Sequence, residues 1–283
     1  MARPAKTHRT PLRDGTQRKA PTLLTLQGMA TYMSLVIGLA AVLTSSGPVA
    51  PAGAQTGPAP GAPRLTPVRA VLASRGLPSV VEAPLYFRLL RVQVPAGQST
   101  GSGGANGFVY QLTGVLEVAS DGDLTTLREG EAAFVVAGKS ATLKAVGTAP
   151  ATFLHFLLLR SADLNLPVGG APAVVTKLYQ NRDPIPGLKP GPYEFTLTRV
   201  TFPPRTPTNP PHHRSGAALY SVVAGTGMIT LTSEGRSEAR PAGTVQYEPY
   251  DFVHQWGNPG DTPLVLLQAN ISPEGTPVVI FPK

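Results

Sequence analysis

The sequence contains no cysteine. Disulfides, thiol catalysis, thiolate metal sites and a cysteine-borne lipid anchor are therefore excluded. Charge is sparse as well: Asp, Glu, Lys and Arg together make 14% of the chain, and there is a single Trp. Beyond about Val80 no long helical periodicity is seen. No nucleophile elbow, phosphate-binding loop or Ser/His/Asp arrangement stands out. No basic run carries interleaved aromatics, which removes the usual footprint of a nucleic-acid partner.

The basic residues present are unevenly placed. Arg3, Lys6, Arg9, Arg13, Arg18 and Lys19 precede an apolar stretch that is strongest from Met29 to Leu43, and a small-residue run then ends in Ala52-Gly53-Ala54. A basic leader, an apolar core and an A-x-A site describe a signal peptide over residues 1–54, with cleavage after Ala54. The expected destination is extracytoplasmic, secreted or periplasmic. The alternative is an uncleaved anchor from Leu23 to Leu43, the one reading in which a membrane is a partner. Of the 24 basic and 16 acidic residues, removal of the leader leaves 18 and 15. The high pI is then mostly a targeting feature.

Residues 55–80 open with a Pro/Gly/Ala-rich stretch (QTGPAPGAPRLTP) and read as a tail. After them come short Val/Leu/Phe/Thr/Tyr runs broken by Gly, Pro, Asp and Asn, such as Phe87–Val94, Val109–Val118, Ala132–Val136, Thr152–Leu159 and Phe195–Phe202. Such spacing predicts an all-β sandwich or barrel. The strands also repeat. Phe87-x-Leu89-x-Arg91-Val92 returns as Phe195-x-Leu197-x-Arg199-Val200, and Gly130, Gly147 and Pro150 return as Gly243, Gly260 and Pro263. Two copies of one β unit are expected, at 81–165 and 193–283, with a proline-rich crossover at 166–192.

The chemistry-bearing residues lie in the second copy. Gly243, Pro249, Asp251, His254 and Asn258 form the pattern G-x5-P-x-D-x2-H-x3-N, and Pro210-Pro211-His212-His213-Arg214 precedes a strand ending in Gly225. The first pattern resembles the second cupin motif, with Asp251 where the family usually has Gly. The second resembles the first cupin motif, H-x-H-x(3,4)-E-x6-G, with Ala218 in place of the Glu. The resemblance covers residues 81–283. It implies two tandem double-stranded β-helix (jelly-roll) barrels, similar to the bicupins, and a divalent metal (Mn, Fe, Zn, Ni or Cu) in the second. Inward-pointing residues of separate strands would converge there.

Two frames of the first motif remain open, one placing the H-x-H pair on His212 and Arg214, the other on Pro211 and His213. His212, His213 and His254 are the candidate metal ligands, with Glu248 or Tyr220 as a substitute oxygen ligand. Tyr220, Gln246, Glu248 and Asn258 are expected to line the pocket. The plainer alternative has His212 and His213 as solvated loop residues and His254 as a hydrogen-bonding pocket residue.

In the first copy Ala141 and Ala145 stand where His254 and Asn258 stand in the second, and the 97–107 loop has no histidine. This half reads as structural, a degenerate barrel, with His155 a core residue whose hydrogen bonds are met. Arg91 and Arg199 read as a shared structural feature. The expected function is an exported protein whose C-terminal barrel binds a small ligand through the metal. The alternative is a metal-dependent dioxygenase resembling quercetinases and acting on a small organic substrate. The resemblance also implies a homodimer through strand edges.

Overall fold

A computed structural model describes residues 65–78 and 84–282. The expected signal segment and its cleavage site lie outside the described residues. Ten strands build the first half: β1 (Val68–Leu77), β2 (Leu85–Val94), β3 (Ser99–Ser102), β4 (Asn106–Thr113), β5 (Val115–Ser120), β6 (Asp123–Leu127), β7 (Ala132–Val135), β8 (Ala141–Val146), β9 (Ala151–Arg160) and β10 (Val174–Gln180). Nine follow: β11 (Tyr193–Phe202), β12 (His213–Arg214), β13 (Ala217–Ala224), β14 (Thr226–Leu231), β15 (Arg236–Pro241), β16 (Val245–Glu248), β17 (His254–Gly257), β18 (Leu264–Pro273) and β19 (Val279–Ile280). The fold is all-β, as two tandem jelly-roll barrels.

Each barrel faces a five-stranded sheet with a smaller one. The large sheets run β10-β2-β9-β4-β7 and β1-β11-β18-β13-β16; the smaller ones are β3-β8-β5-β6 and β15-β14-β17. The two large sheets also bury their outer faces against each other. Along β9, Phe153, Leu157 and Leu159 point into the first barrel, whereas Leu154, Phe156 and Leu158 join the core between the sheets. A strand covered on both faces needs apolar side chains at every position, which accounts for the run Phe153-Leu-His-Phe-Leu-Leu-Leu159. Phe108 and Phe195, one from each half, meet at 4.5 Å between ring centroids in that shared core.

Positive-φ turns mark the same corners of both units. Gly114 (φ 78°) and Gly225 (φ 75°) follow equivalent strands, and an added Cβ would lie 2.4 Å from the Pro150 carbonyl oxygen or 2.5 Å from that of Pro263. Only glycine tolerates both conditions. Gly138 (φ 73°) is matched by Asp251 (φ 65°), so the aspartate in the second motif occupies a left-handed position that its partner fills with glycine. Asp is among the few side chains that accept this conformation.

Two segments differ from expectation. Residues 68–77, read as part of a tail, form β1, which pairs with β11 from Val68↔Thr201 to Leu77↔Tyr193. Within the expected crossover, β10 pairs with β2. The N-terminal strand thus completes the sheet of the C-terminal barrel, and the crossover strand completes the sheet of the first. Both run along sheet edges, where half-exposed residues suffice, so their apolar signal is weak.

Candidate functional site

The second barrel carries at its centre six side chains that are each 2% exposed or less: His212, Arg214, Tyr220, Glu248, His254 and Trp256. The backbone brings the two motifs together. His212 and His254 form an antiparallel bridge with reciprocal N–H···O bonds of 3.0 and 2.9 Å, and their rings lie 4.5 Å apart. Each Nδ1 faces a carbonyl oxygen two residues back, Pro210 for His212 at 2.9 Å and Phe252 for His254 at 2.8 Å. A carbonyl can only accept, so each Nδ1 holds a proton and each Nε2 points into the centre.

Alternation along the chain decides which residues enter. His212 and Arg214 are buried, whereas His213, between them, turns to the rim. There its Nδ1 meets the Arg214 carbonyl at 3.2 Å and Asp251 at 3.5 Å. The structure thus brings His212 and Arg214 into the buried cluster and leaves His213, also named as a candidate ligand, at its rim. The carboxylate missing at Ala218 is supplied from the neighbouring strand. Ala218 and Glu248 are direct partners in the β13–β16 ladder, and partners share a face.

Glu248 anchors the cluster. Its Oε2 accepts from Arg214 Nε at 3.1 Å and its Oε1 from Trp256 Nε1 at 2.9 Å. Arg214 Nη2 donates to the Tyr220 hydroxyl and faces His212 Nε2 at 3.3 Å. The guanidinium also lies over the Tyr220 ring, 5.5 Å from its centroid, and Tyr220 stacks on Trp256 at 5.8 Å. Burial alone would push Glu248 up, but the electrostatic attraction of the neighbouring His254 and Arg214 side chains outweighs it and holds the carboxyl at about 2. Burial, with Arg214 beside it, lowers His212 to about 4, so its ring is neutral and Nε2 is free to accept. Burial likewise opposes the Arg214 charge, yet Tyr220 and Glu248 raise it above its ordinary value.

Two buried atoms at this centre have unmet capacity. His254 Nε2 stands 2.9 Å from Glu248 Oε1 as an ion-pair contact without a well-aligned hydrogen bond, and Arg214 Nη1 has no hydrogen-bond partner among the described residues. Two imidazoles and a carboxylate are a donor set that suits Zn, Fe, Mn, Ni or Cu, and a donor pair about 3 Å apart matches adjacent positions around such an ion. The set fits a divalent metal in kind. Its seat is shared, however, because the Arg214 guanidinium occupies the second H-x-H position and engages both Glu248 and His212. Among the described residues no group of three His, Asp or Glu side chains is arranged as a ready metal cage.

The remaining expected pocket residues do other work. Asn258 donates to the carbonyls of Phe202, Pro203 and Thr262 at 3.2, 3.0 and 2.8 Å and accepts from Gly260 N–H, so it ties two loops together. Gln246 is held by Arg240 at 3.2 Å and by its own bond to the Tyr247 carbonyl. Neither belongs to the central cluster. Arg214 and Trp256 are the functional candidates that sequence reasoning passed over. The signal for Arg214 was the H-x-H frame itself, in which it takes the second place.

Such tandem barrels define a class that includes solved enzymes. A tryptophan-to-tyrosine variant of oxalate decarboxylase from Bacillus subtilis aligns over 74% of this chain and 74% of its own, at 16% identity and a TM-score of 0.50. Oxalate decarboxylase from Lactobacillus farciminis, solved as a formate complex, aligns over 75% and 88% at 13% identity and a TM-score of 0.48. A further structure of the Bacillus enzyme, studied for its Mn(II) centres, aligns over 74% of each chain at 15% identity and a TM-score of 0.49. The first of these, at a TM-score of 0.50, supports the fold alone; at this identity the likeness does not extend to activity. No protein-family model matches the chain, and no curated protein matches it in sequence.

Proposed function

We propose that the protein is an exported small-ligand-binding protein rather than a turnover enzyme, with its site at the centre of the C-terminal barrel. The observation that carries this reading is the pair of buried atoms with unmet capacity, His254 Nε2 and Arg214 Nη1, converging beside the Glu248 carboxylate. Leaving polar groups unmet in a dry interior is costly, and a bound group that meets them recovers that free energy. A divalent metal would be held by His212, His254 and Glu248 in competition with the Arg214 guanidinium, and would polarise an oxygen-bearing ligand. The dioxygenase alternative has less support. The Arg214 guanidinium engages both Glu248 and His212 and would compete with a catalytic metal for them.

Elemental analysis of protein purified without added metal, followed by thermal-shift titration with Mn²⁺, Fe²⁺, Zn²⁺, Ni²⁺ and Cu²⁺, tests the reading. The expected result is uptake of one ion per chain, abolished by His254→Ala, with no dioxygen consumption in the presence of flavonols. Uptake that survives His254→Ala, or no response to any of the ions, would overturn the metal site. Metal-dependent oxygen uptake would overturn the binding role in favour of catalysis.

A further inference from the structure

The repeat places Arg91 of β2 and Arg199 of β11 at equivalent positions, and both border one cavity of about 910 Å³ where the two large sheets part. Its walls come from both halves: Tyr110 and Leu112 of β4 on one side, Val223 of β13 on the other, with Glu129 on a turn of the first barrel. The volume falls within the range of small-molecule sites, which are typically about 300–1,000 Å³. Two guanidiniums and one carboxylate leave a net charge of +1 in the lining. Among the described residues neither arginine forms an ion pair. Arg199 instead neighbours the Tyr110 hydroxyl.

A shared structural role explains a pair of repeat-related arginines if each is locked to an acid of its own unit. Here each lacks such a partner and they line a single partly apolar space. We infer that this inter-barrel cleft is a second binding site, for a small monocarboxylic acid with an apolar body. The carboxylate would sit between Arg91 and Arg199 in charge-assisted hydrogen bonds, and the hydrocarbon part would cover Leu112 and Val223. The cleft is separate from the C-terminal centre and does not rest on the reading proposed for it.

Calorimetric titration of the full chain with 4-phenylbutyrate and with the neutral 4-phenylbutyramide tests the inference. The acid is expected to bind, and the amide to bind at least about tenfold more weakly, the loss that one charge-assisted contact represents. Arg91→Gln and Arg199→Gln should each weaken the acid about tenfold, with the fold verified by circular dichroism. Lys139→Gln, at an exposed residue outside the lining of the cleft, should leave the acid's Kd within about twofold. The inference fails if the acid does not bind or if acid and amide bind alike. It fails equally if the folded Arg91→Gln/Arg199→Gln double variant binds the acid as the wild type does. Equal weakening by Lys139→Gln would show that the two arginines do not act through the cleft and would also overturn it.

Discussion

The two barrels solve the same interior problem differently. The first encloses a mostly apolar core that also holds Gln111 and the ring of His155, which is fully buried with neither nitrogen hydrogen-bonded among the described residues. The second encloses a charged cluster in which one carboxylate, one guanidinium, two imidazoles, a phenol and an indole share contacts. The expectation that His155 would have its hydrogen bonds met is therefore corrected. Burial with no partner lowers it to about 4 and keeps it neutral. A lone polar group is tolerated only by giving up its charge, whereas several together can keep theirs.

Substitutions at the two centres should separate them, the largest effect first. Arg214→Ala strands Glu248 as an unpaired buried charge and should cost about 3–5 kcal/mol in urea unfolding. A loss below about 1 kcal/mol would show that the guanidinium is not the carboxylate's main partner. Arg214→His restores two imidazoles at alternate positions. It should bind Zn²⁺ or Mn²⁺ at least about tenfold more tightly than the wild type, and unchanged affinity would dismiss competition for a shared seat.

His155 makes the first barrel acid-sensitive. Above its unfolded value of 6.5 the ring is neutral in both states, and the full stability is present. As pH falls from there toward 4, the unfolded chain takes up a proton that the folded chain resists, and stability is lost. The total reaches about 3 kcal/mol. His155→Leu should roughly halve that limb of the stability profile, since His212, also lowered to about 4, supplies a similar loss; an identical slope in the variant would remove His155 as a source. The smallest effect should come from the paired left-handed turns: Gly138→Ala should cost about 1 kcal/mol, whereas Asp251→Gly should change stability by less than that. Equal losses at both sites would mean that Asp251 is held by more than its backbone conformation.

Much of the architecture was legible because the repeat and the strand spacing are local patterns. Phe87, Phe195 and the turn glycines recur in register, and the all-β barrels follow from them. The edge strand β1 was not legible, since Arg69, Ser74, Arg75 and Gly76 dilute its apolar content and its pairing partner lies in the other half of the sequence. At the site, the motif spacing located His212, His254 and Glu248, but spacing cannot say which way a histidine after two prolines turns. Only the bridge to His254 orients it. The role of Arg214 stayed hidden because a cation in a ligand's place reads as a defect until Glu248 is seen across the ladder from Ala218.

The exchanged edge strands have a consequence for the order of events during synthesis. β1 leaves the ribosome first, yet its partner β11 follows only after the entire first barrel has been made. The C-terminal sheet therefore closes last and by a long-range pairing, which folds slowly. The last sheet of the molecule therefore depends on its first strand staying unpaired throughout the synthesis of the first barrel.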